Sequence, residues 1–405
     1  MVVSKVVPVP PQKPRTPEGS PYSAHIPALD GVRGLAILMV ICSHAFESNS
    51  EDAGRLVRFV GRFLYYGFFG VDLFFVLSGF LITGILIDSL ADPSYFRKFY
   101  ARRILRIFPL YYGVLTALFA LTPLLRLHWG SMGWLLVFYL QNLRPTTIAT
   151  FSPGANIGLF HFWSLAVEEQ FYLLWPAVVF FARGRSRLLS ITLAASAGAL
   201  LLRIILLFCG ISGLLIHVST LCRADTLLLG GALAILCRSR LSSRVIDLSS
   251  WVFLGSTIVV VGSIILRGPD SVLQSFPDQL WLSGIRYTVL AVGFASLIAW
   301  SLKSESLCQW AFERAWLRFL GKYSYGIYVL HVLVLGAMIP ASRRLLLNLT
   351  HSRLLAVGGA GLAGLAVSIA AAYTAFHLFE NKFLRLKRFF AYSRSSERMR
   401  EGVMS

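Results

Sequence analysis

Apolar positions along the chain fall into long, near-continuous stretches separated by short polar or basic connections. About ten of these stretches can cross a bilayer, taking about 20 residues as one crossing. They lie near residues 30–48, 66–90, 104–125, 157–181, 188–208, 218–237, 250–267, 281–302, 322–340 and 354–379. A shorter apolar piece near 131–141 is too brief to span and reads as re-entrant or interfacial. The stretches lack the alternation of a membrane β-barrel, and in hydrocarbon a helix satisfies its own backbone. The predicted fold is therefore an all-α integral membrane bundle of about ten transmembrane helices. No solenoid repeat and no two-fold hydropathy symmetry is visible, which weighs against transporter folds built from repeats.

Composition fits this class. The 405 residues are 56% hydrophobic and only 14% charged, whereas a soluble domain carries nearer a quarter charged residues. The formal net charge of +19 does not indicate a nucleic-acid partner, because the basic residues sit in short clusters flanking apolar stretches rather than in one patch. Lys and Arg on the N-terminal side of the predicted bundle outnumber those on the other by more than two to one. By the positive-inside rule this predicts a multi-pass cell-membrane protein with both termini cytoplasmic.

Residues 1–28 are rich in proline, have no apolar core segment and read as a disordered cytoplasmic leader. The membrane region is predicted over 29–380 and a basic cytoplasmic tail over 381–405. Cys42, Cys209, Cys222, Cys237 and Cys308 form no C-x-x-C pair. They read as structural thiols, neither a disulfide framework nor a metal site. No soluble catalytic domain is visible, so any chemistry is expected inside the bundle.

Charged residues within spans are costly and are functional candidates by default. Arg33 and His44 are close to three whole turns apart, which puts both on one helix face, separated by about 16 Å along the axis. A headgroup-level arginine and a surface histidine are the plainer alternatives. Asp72 opens an otherwise uncharged run in which Ser78 and Gly79 form a small notch. That notch admits either a substrate or a neighbouring helix. Arg102, Arg103 and Arg106 cluster at a predicted helix entrance, where guanidinium groups suit phosphate oxygens and equally suit topology control. Glu168 and Glu169 are adjacent carboxylates in an apolar run beginning His161-Phe162-Trp163. Being 100° apart, they point different ways: one is expected to face the interior and the other a basic partner such as Arg223. Arg223 and Asp225 point to different sides of one helix, each toward its own neighbour, and a structural ion pair is as good a reading there as a substrate contact.

In their order these residues resemble a known family. Arg33 to His44 matches the R-x10-H signature of the membrane-bound acyltransferase 3 family, whose members acylate O-antigens, exopolysaccharides and macrolides. The blocks Gly70–Thr83, Tyr100–Tyr112, Phe162–Pro176, Arg223–Gly230 and Ser324–His331 are similar to the same family. The resemblance implies about ten helices, an acyl-CoA donor on the cytoplasmic side, an essential histidine at His44, and arginines active in function at Arg33 and within Arg102–Arg106. The family often ends its last helix with Glu-x-Pro, whereas this chain reads Glu380-Asn381-Lys382. The chain resembles single-domain members, without the SGNH-type domain of some relatives.

The expected activity is transfer of an acyl group, acetyl by default, from acyl-CoA to a hydroxyl of a carbohydrate or glycosylated acceptor. His44 is expected to be the general base, with Glu168 or Glu169 orienting its imidazole. Arg33, Arg102, Arg103 and Arg106 are expected to hold donor phosphates. Asp72, Ser78, Trp163, Arg223 and Asp225 are the expected acceptor contacts, with Trp163 stacking on a sugar. Acyl-CoA is a co-substrate, and no permanent cofactor or metal is expected. The rival reading is a multi-pass transporter or flippase of a lipid-linked or small glycosylated substrate, which would carry the same intramembrane charges.

Overall fold

The computed structural model describes residues 25–46, 61, 63–144, 158–267 and 280–392. The leader up to residue 24 and the tail beyond 392 lie outside this set, and with them most of the expected disorder. Ten helices stand where the apolar stretches predicted spans. They are α1 Pro27–Ala45, α2 Gly70–Asp88, α3 Tyr95–Ala120, α4 Trp163–Phe181, α5 Arg185–Phe208, α6 Thr220–Leu236, α7 Ser242–Arg267, α8 Arg286–Ser301, α9 Ala315–Thr350 and α10 Arg353–Ala375. Among the described residues, eight helices are long and apolar enough to cross a membrane. The two predicted places not among those eight are α4, which carries the paired glutamates, and α6, which is only 17 residues long. The apolar piece near 131–141 forms one short helix, Met132–Val137, held to α3 by Tyr111 and Tyr112, whose hydroxyls donate to the Leu136 and Val137 carbonyls at 2.8 and 2.7 Å.

Large apolar side chains cover the outside of the bundle: Phe181, Phe208, Ile265 and Leu362 are each at least 60% exposed. In water such a surface would be an aggregation hazard; against lipid tails it costs nothing. Three large apolar clusters make up most of the interior among the described residues. One gathers α1, α3, α4 and α9 around Ile37, Tyr111 and Phe162; another gathers α2, α4 and α6 around Phe75, Trp175 and Leu227; the third joins α1, α2 and α8 around Val32, Leu73 and Ile298. All five cysteines are free thiols, with Cys222, Cys237 and Cys308 buried among apolar neighbours.

Without a hydrophobic force between helices in lipid, close packing of small residues sets the spacing. The pairing of α2 with α6 depends on it. A Cβ at Gly79 would stand 1.8 Å from the Leu227 carbonyl oxygen, and one at Gly230 would stand 1.9 Å from that of Val76. The Ser78-Gly79 notch is therefore a helix contact on its glycine side. Prolines inside α3 and α4 leave backbone carbonyls without their usual intrahelical donor. Tyrosines cross between helices near both: Tyr325 of α9 donates to the Ile107 carbonyl beside Pro109 at 2.6 Å, and Tyr100 of α3 donates to the Leu173 carbonyl before Pro176 at 2.8 Å.

Replacing Gly230 by valine is expected to push α2 from α6 and cost about 1–3 kcal/mol, seen as a melting temperature several degrees lower in detergent. Gly255→Ala, where nothing lies within 4 Å, serves as the neutral comparison. Equal melting of the Gly230 variant and the parent would show that this contact does not set the helix spacing.

Candidate active site

Most charges brought to membrane depth sort into two sets, while Arg286 of α8 lies against the rings of Phe68, Phe69 and Tyr287. The first is used up in ion pairs. Arg223 of α6 donates to the Asp72 carboxylate of α2, and both side chains are essentially inaccessible. The guanidinium also lies 3.9 Å from the Tyr287 ring centroid and within 5.9 Å of that of Trp163. Arg203 of α5 makes a two-pronged contact with Asp225 of α6, at 2.8 and 2.7 Å. Thr288 of α8 donates to the same carboxylate at 2.6 Å, and Arg203 also reaches the Gly284 carbonyl at 2.8 Å. These two pairs join α2, α5 and α6, with Thr288 adding α8.

This corrects several expectations. Arg223 is the partner of Asp72 and not of a glutamate. Asp72, Arg223 and Asp225 are enclosed in their pairs and line no cavity described below, so they do not offer acceptor contacts. Trp163 is buried, 4.5 Å from the His217 ring centroid and 5.9 Å from that of Phe75. No face is left for a sugar. The sequence contains the charges but not their pairing, because the partners lie up to 151 positions apart.

The second set lines a cavity of about 190 Å³ between α1, α2, α3, α4 and α9. Arg33, Arg103 and Arg106 enter it, together with Ser78, Glu168 and Tyr172. Tyr172 and Ser78 are hydrogen-bonded through their hydroxyls, and both approach the Glu168 carboxylate. Arg33 is held by Asp30 one turn away at 2.8 Å. Among the described residues Arg103 and Arg106 belong to no ion pair with an oxygen within 4.0 Å; Glu380, buried just after α10, and Asp30 are carboxylates in electrostatic range of Arg106. Arg102 does not enter the cavity. It donates to the Phe390 carbonyl at 3.3 Å and lies over the Tyr392 ring. The turn of α3 that faces inward carries positions 103 and 106, so of the three α3 arginines expected at the donor site Arg102 alone points away from the cavity. A larger cavity of about 1060 Å³ lies between α1, α7 and α8. Among the described residues its lining has no carboxylate, histidine, lysine or arginine and is almost wholly apolar.

His44 lies at the far end of α1, exposed. Its Nδ1–H donates to the Val40 carbonyl at 2.9 Å, which leaves Nε2 as the nitrogen with a free lone pair. Its ring stands 5.0 Å, edge to face, from that of His331 on α9, and His331 stands 5.1 Å from His161 at the start of α4. Buried His331 repeats the arrangement: Nδ1–H donates to the Tyr328 carbonyl at 2.7 Å, and its Nε2 has no hydrogen-bond partner among the described residues. No group of histidines, cysteines and carboxylates suited to a metal ion occurs among the described residues.

Tyr328 joins the two regions. It lines the arginine cavity, meets the Ser164 hydroxyl at 2.5 Å, donates to the His161 carbonyl at 2.9 Å, and lies 5.6 Å by ring centroid from both His161 and His331. A polar lane thus runs from Arg33 to His44. Helix periodicity builds it: Ser164, Glu168 and Tyr172 form one stripe of α4, continued by His161 in the turn Phe160–Phe162 before it, and Ser324, Tyr328 and His331 form one stripe of α9. Glu168 is the glutamate that faces this lane. Glu169 turns toward Tyr112, Tyr139 and Tyr325, with its buried Oε1 unpartnered among the described residues. Neither glutamate hydrogen-bonds to His44 among the described residues, so the expected carboxylate–imidazole pair is replaced by the Val40 carbonyl. Sequence reasoning passed over His161, Ser164, Tyr328 and His331. Their signal was present as polar residues at three- and four-residue spacing in otherwise apolar stretches.

The ion pairs generate a test. Arg223→Met leaves the Asp72 carboxylate buried and alone, and is expected to cost about 3–5 kcal/mol of stability; combining it with Asp72→Leu is expected to restore most of the loss. Thermal unfolding in detergent measures both. A single variant that melts like the parent while losing activity would return Arg223 to the substrate site.

A family model described as an acyltransferase domain matches residues 26–373, which takes in the whole lane. Among curated relatives, the peptidoglycan O-acetyltransferase OatA of Listeria monocytogenes is 29% identical over 345 residues, covering 78% of this chain and 50% of the relative. The putative peptidoglycan O-acetyltransferase YrhL of Bacillus subtilis is 30% identical over 352 residues, covering 79% and 50%. The O-acetyltransferase OatA of Staphylococcus aureus is 28% identical over 323 residues, covering 76% and 50%. The chain spans about half the length of these relatives. No solved structure matches it. With the family model running from the start of α1 almost to the end of α10 over an all-helical membrane bundle, the chain belongs to the acyltransferase 3 family.

Proposed function

We propose that this protein transfers an acyl group, acetyl by default, from acyl-CoA to a hydroxyl of a carbohydrate-type acceptor at the membrane. The observation that carries the reading is a chain of neighbouring polar side chains, from the cavity with Arg103 and Arg106 through Tyr328 and His331 to an imidazole with a free Nε2 at His44. With both termini cytoplasmic, as the distribution of basic residues favours, the arginine end faces the cytoplasm, where thioester donors are found. The His44 end then opens toward the opposite face. Relatives named as peptidoglycan O-acetyltransferases support a glycan there, in keeping with an acceptor outside the cytoplasmic leaflet.

In this reading Arg33, Arg103 and Arg106 hold donor phosphate oxygens through charge-assisted hydrogen bonds, and Glu168, braced by Ser78 and Tyr172, keeps the guanidinium groups spread around the cavity. The extended pantetheine arm carries the thioester along the lane, over a rise of about 16 Å between Arg33 and His44. His44 Nε2 takes the proton of the acceptor hydroxyl as that oxygen attacks the thioester carbonyl. The carbon–oxygen bond forms, the carbon–sulfur bond breaks, and the departing thiolate takes the proton from the imidazolium. The Val40 carbonyl fixes the tautomer, the part a carboxylate plays in hydrolytic triads. His331 packs edge-on and limits the tilt of the ring.

His44→Ala is expected to fold and insert normally, while acyl transfer falls by about 10²–10⁴-fold, the usual contribution of a general base. The measurement uses purified protein in detergent with radiolabelled acetyl-CoA and a soluble saccharide acceptor, and follows label on the saccharide. Undiminished product from the variant removes His44 as the base. Label that stays on CoA with the parent protein favours the transporter reading.

A further inference from the structure

After α10 the chain does not leave the bundle. It runs through Phe376–Glu380 and Asn381–Arg385 into a tight helical turn, Leu386–Phe390, which lies along α3 beside the arginine cluster. Three contacts fix it there. Arg102 donates to the Phe390 carbonyl at 3.3 Å and places its guanidinium 5.5 Å from the Tyr392 ring centroid. The Tyr392 hydroxyl lies beside Ser89, just past the end of α2. These contacts hold half-buried Lys387 within electrostatic range of Arg33, Arg102, Arg103 and Arg106 at once.

Lys387 and the four arginines therefore gather at this end of α3, where three of the arginines line the cavity. The nearby carboxylates do not balance them. Asp30 is shared between Arg33 and His25, at 2.8 and 2.7 Å. Asp92 is taken by Lys98 at 2.7 Å. Glu168 is approached by the Ser78 and Tyr172 hydroxyls, and Glu380 lies within electrostatic range of Arg106. Like charges this close, partly shielded from water, repel by amounts that grow as the local dielectric falls. A fold that gathers them invites an anion of high charge density. Arg102, which lines no cavity, gains a purpose from this arrangement: it anchors the segment that delivers Lys387.

We propose that the segment Leu386–Tyr392 is part of the donor site, with Lys387 a further ligand for phosphate oxygens and the Arg102–Tyr392 contact the device that positions it. The inference rests on the reading that the donor enters at this end. It assigns a binding function to a stretch beyond residue 373, where the family match stops. Phospholipid headgroups share the chemistry of a phosphate, so the test separates the two sources.

Equilibrium binding of unacylated CoA is measured with the full chain in detergent, in nanodiscs of zwitterionic lipid and in nanodiscs containing phosphatidylglycerol. Loss of one charge-assisted contact predicts that Lys387→Gln weakens CoA binding about tenfold in all three media. Lys387→Arg is expected to stay close to the parent. Tyr392→Ala, which frees the segment but keeps the charge, is expected to fall between the two. In turnover the Lys387→Gln defect is expected in the KM for acetyl-CoA, with kcat little changed and the melting temperature held. Parent-like CoA binding by Lys387→Gln overturns the proposal and leaves the donor reading standing. A defect confined to nanodiscs with anionic lipid assigns Lys387 to headgroups and also overturns it. Failure of the parent itself to bind CoA removes both.

Discussion

The cost of placing an ionic group at membrane depth organises this molecule. Every buried charge must find an opposite charge, a hydroxyl, an aromatic face or a polar cavity, since lipid hydrocarbon offers none of these. Two solutions are used side by side. Arg223 with Asp72 and Arg203 with Asp225 are fully enclosed pairs that join α2, α5 and α6, with Thr288 adding α8. Arg33, Arg103 and Arg106 are left open to a shared cavity. The Arg223–Asp72 pair joins the same two helices, α2 and α6, whose backbones Gly79 and Gly230 allow to approach closely.

The same division explains why the site has two ends joined by hydroxyls. At the arginine end Glu168 is approached by the Ser78 and Tyr172 hydroxyls, and Glu380 lies within electrostatic range of Arg106. At the histidine end the orienting groups are backbone carbonyls one helical turn away, those of Val40 for His44 and Tyr328 for His331. A carbonyl fixes the tautomer as firmly as a carboxylate but carries no net charge, so it orients the imidazole without the desolvation cost of a further ion. Ser164 and Tyr328 carry the lane between the ends with neutral groups for the same reason.

The sequence alone determined the fold class, the position of nearly every span and the inventory of chemistry-bearing residues. Those follow from properties each residue carries with it: hydrophobicity over a window of about 20 positions, the helical repeat, and the cost of charge in lipid. It also placed Arg33 and His44 on one helix face, since both belong to one helix. Only the tertiary structure decided the partnerships. It gave Arg223 to Asp72 rather than to a glutamate, turned Glu168 into the cavity and Glu169 away, moved Arg102 onto the C-terminal turn, enclosed Trp163 against His217, and brought His161 and His331 to His44. Each outcome depends on the rotation of one helix against another. In a bundle where nearly every face is apolar, the hydrophobic pattern does not encode that rotation; side-chain packing and a few long-range ion pairs set it.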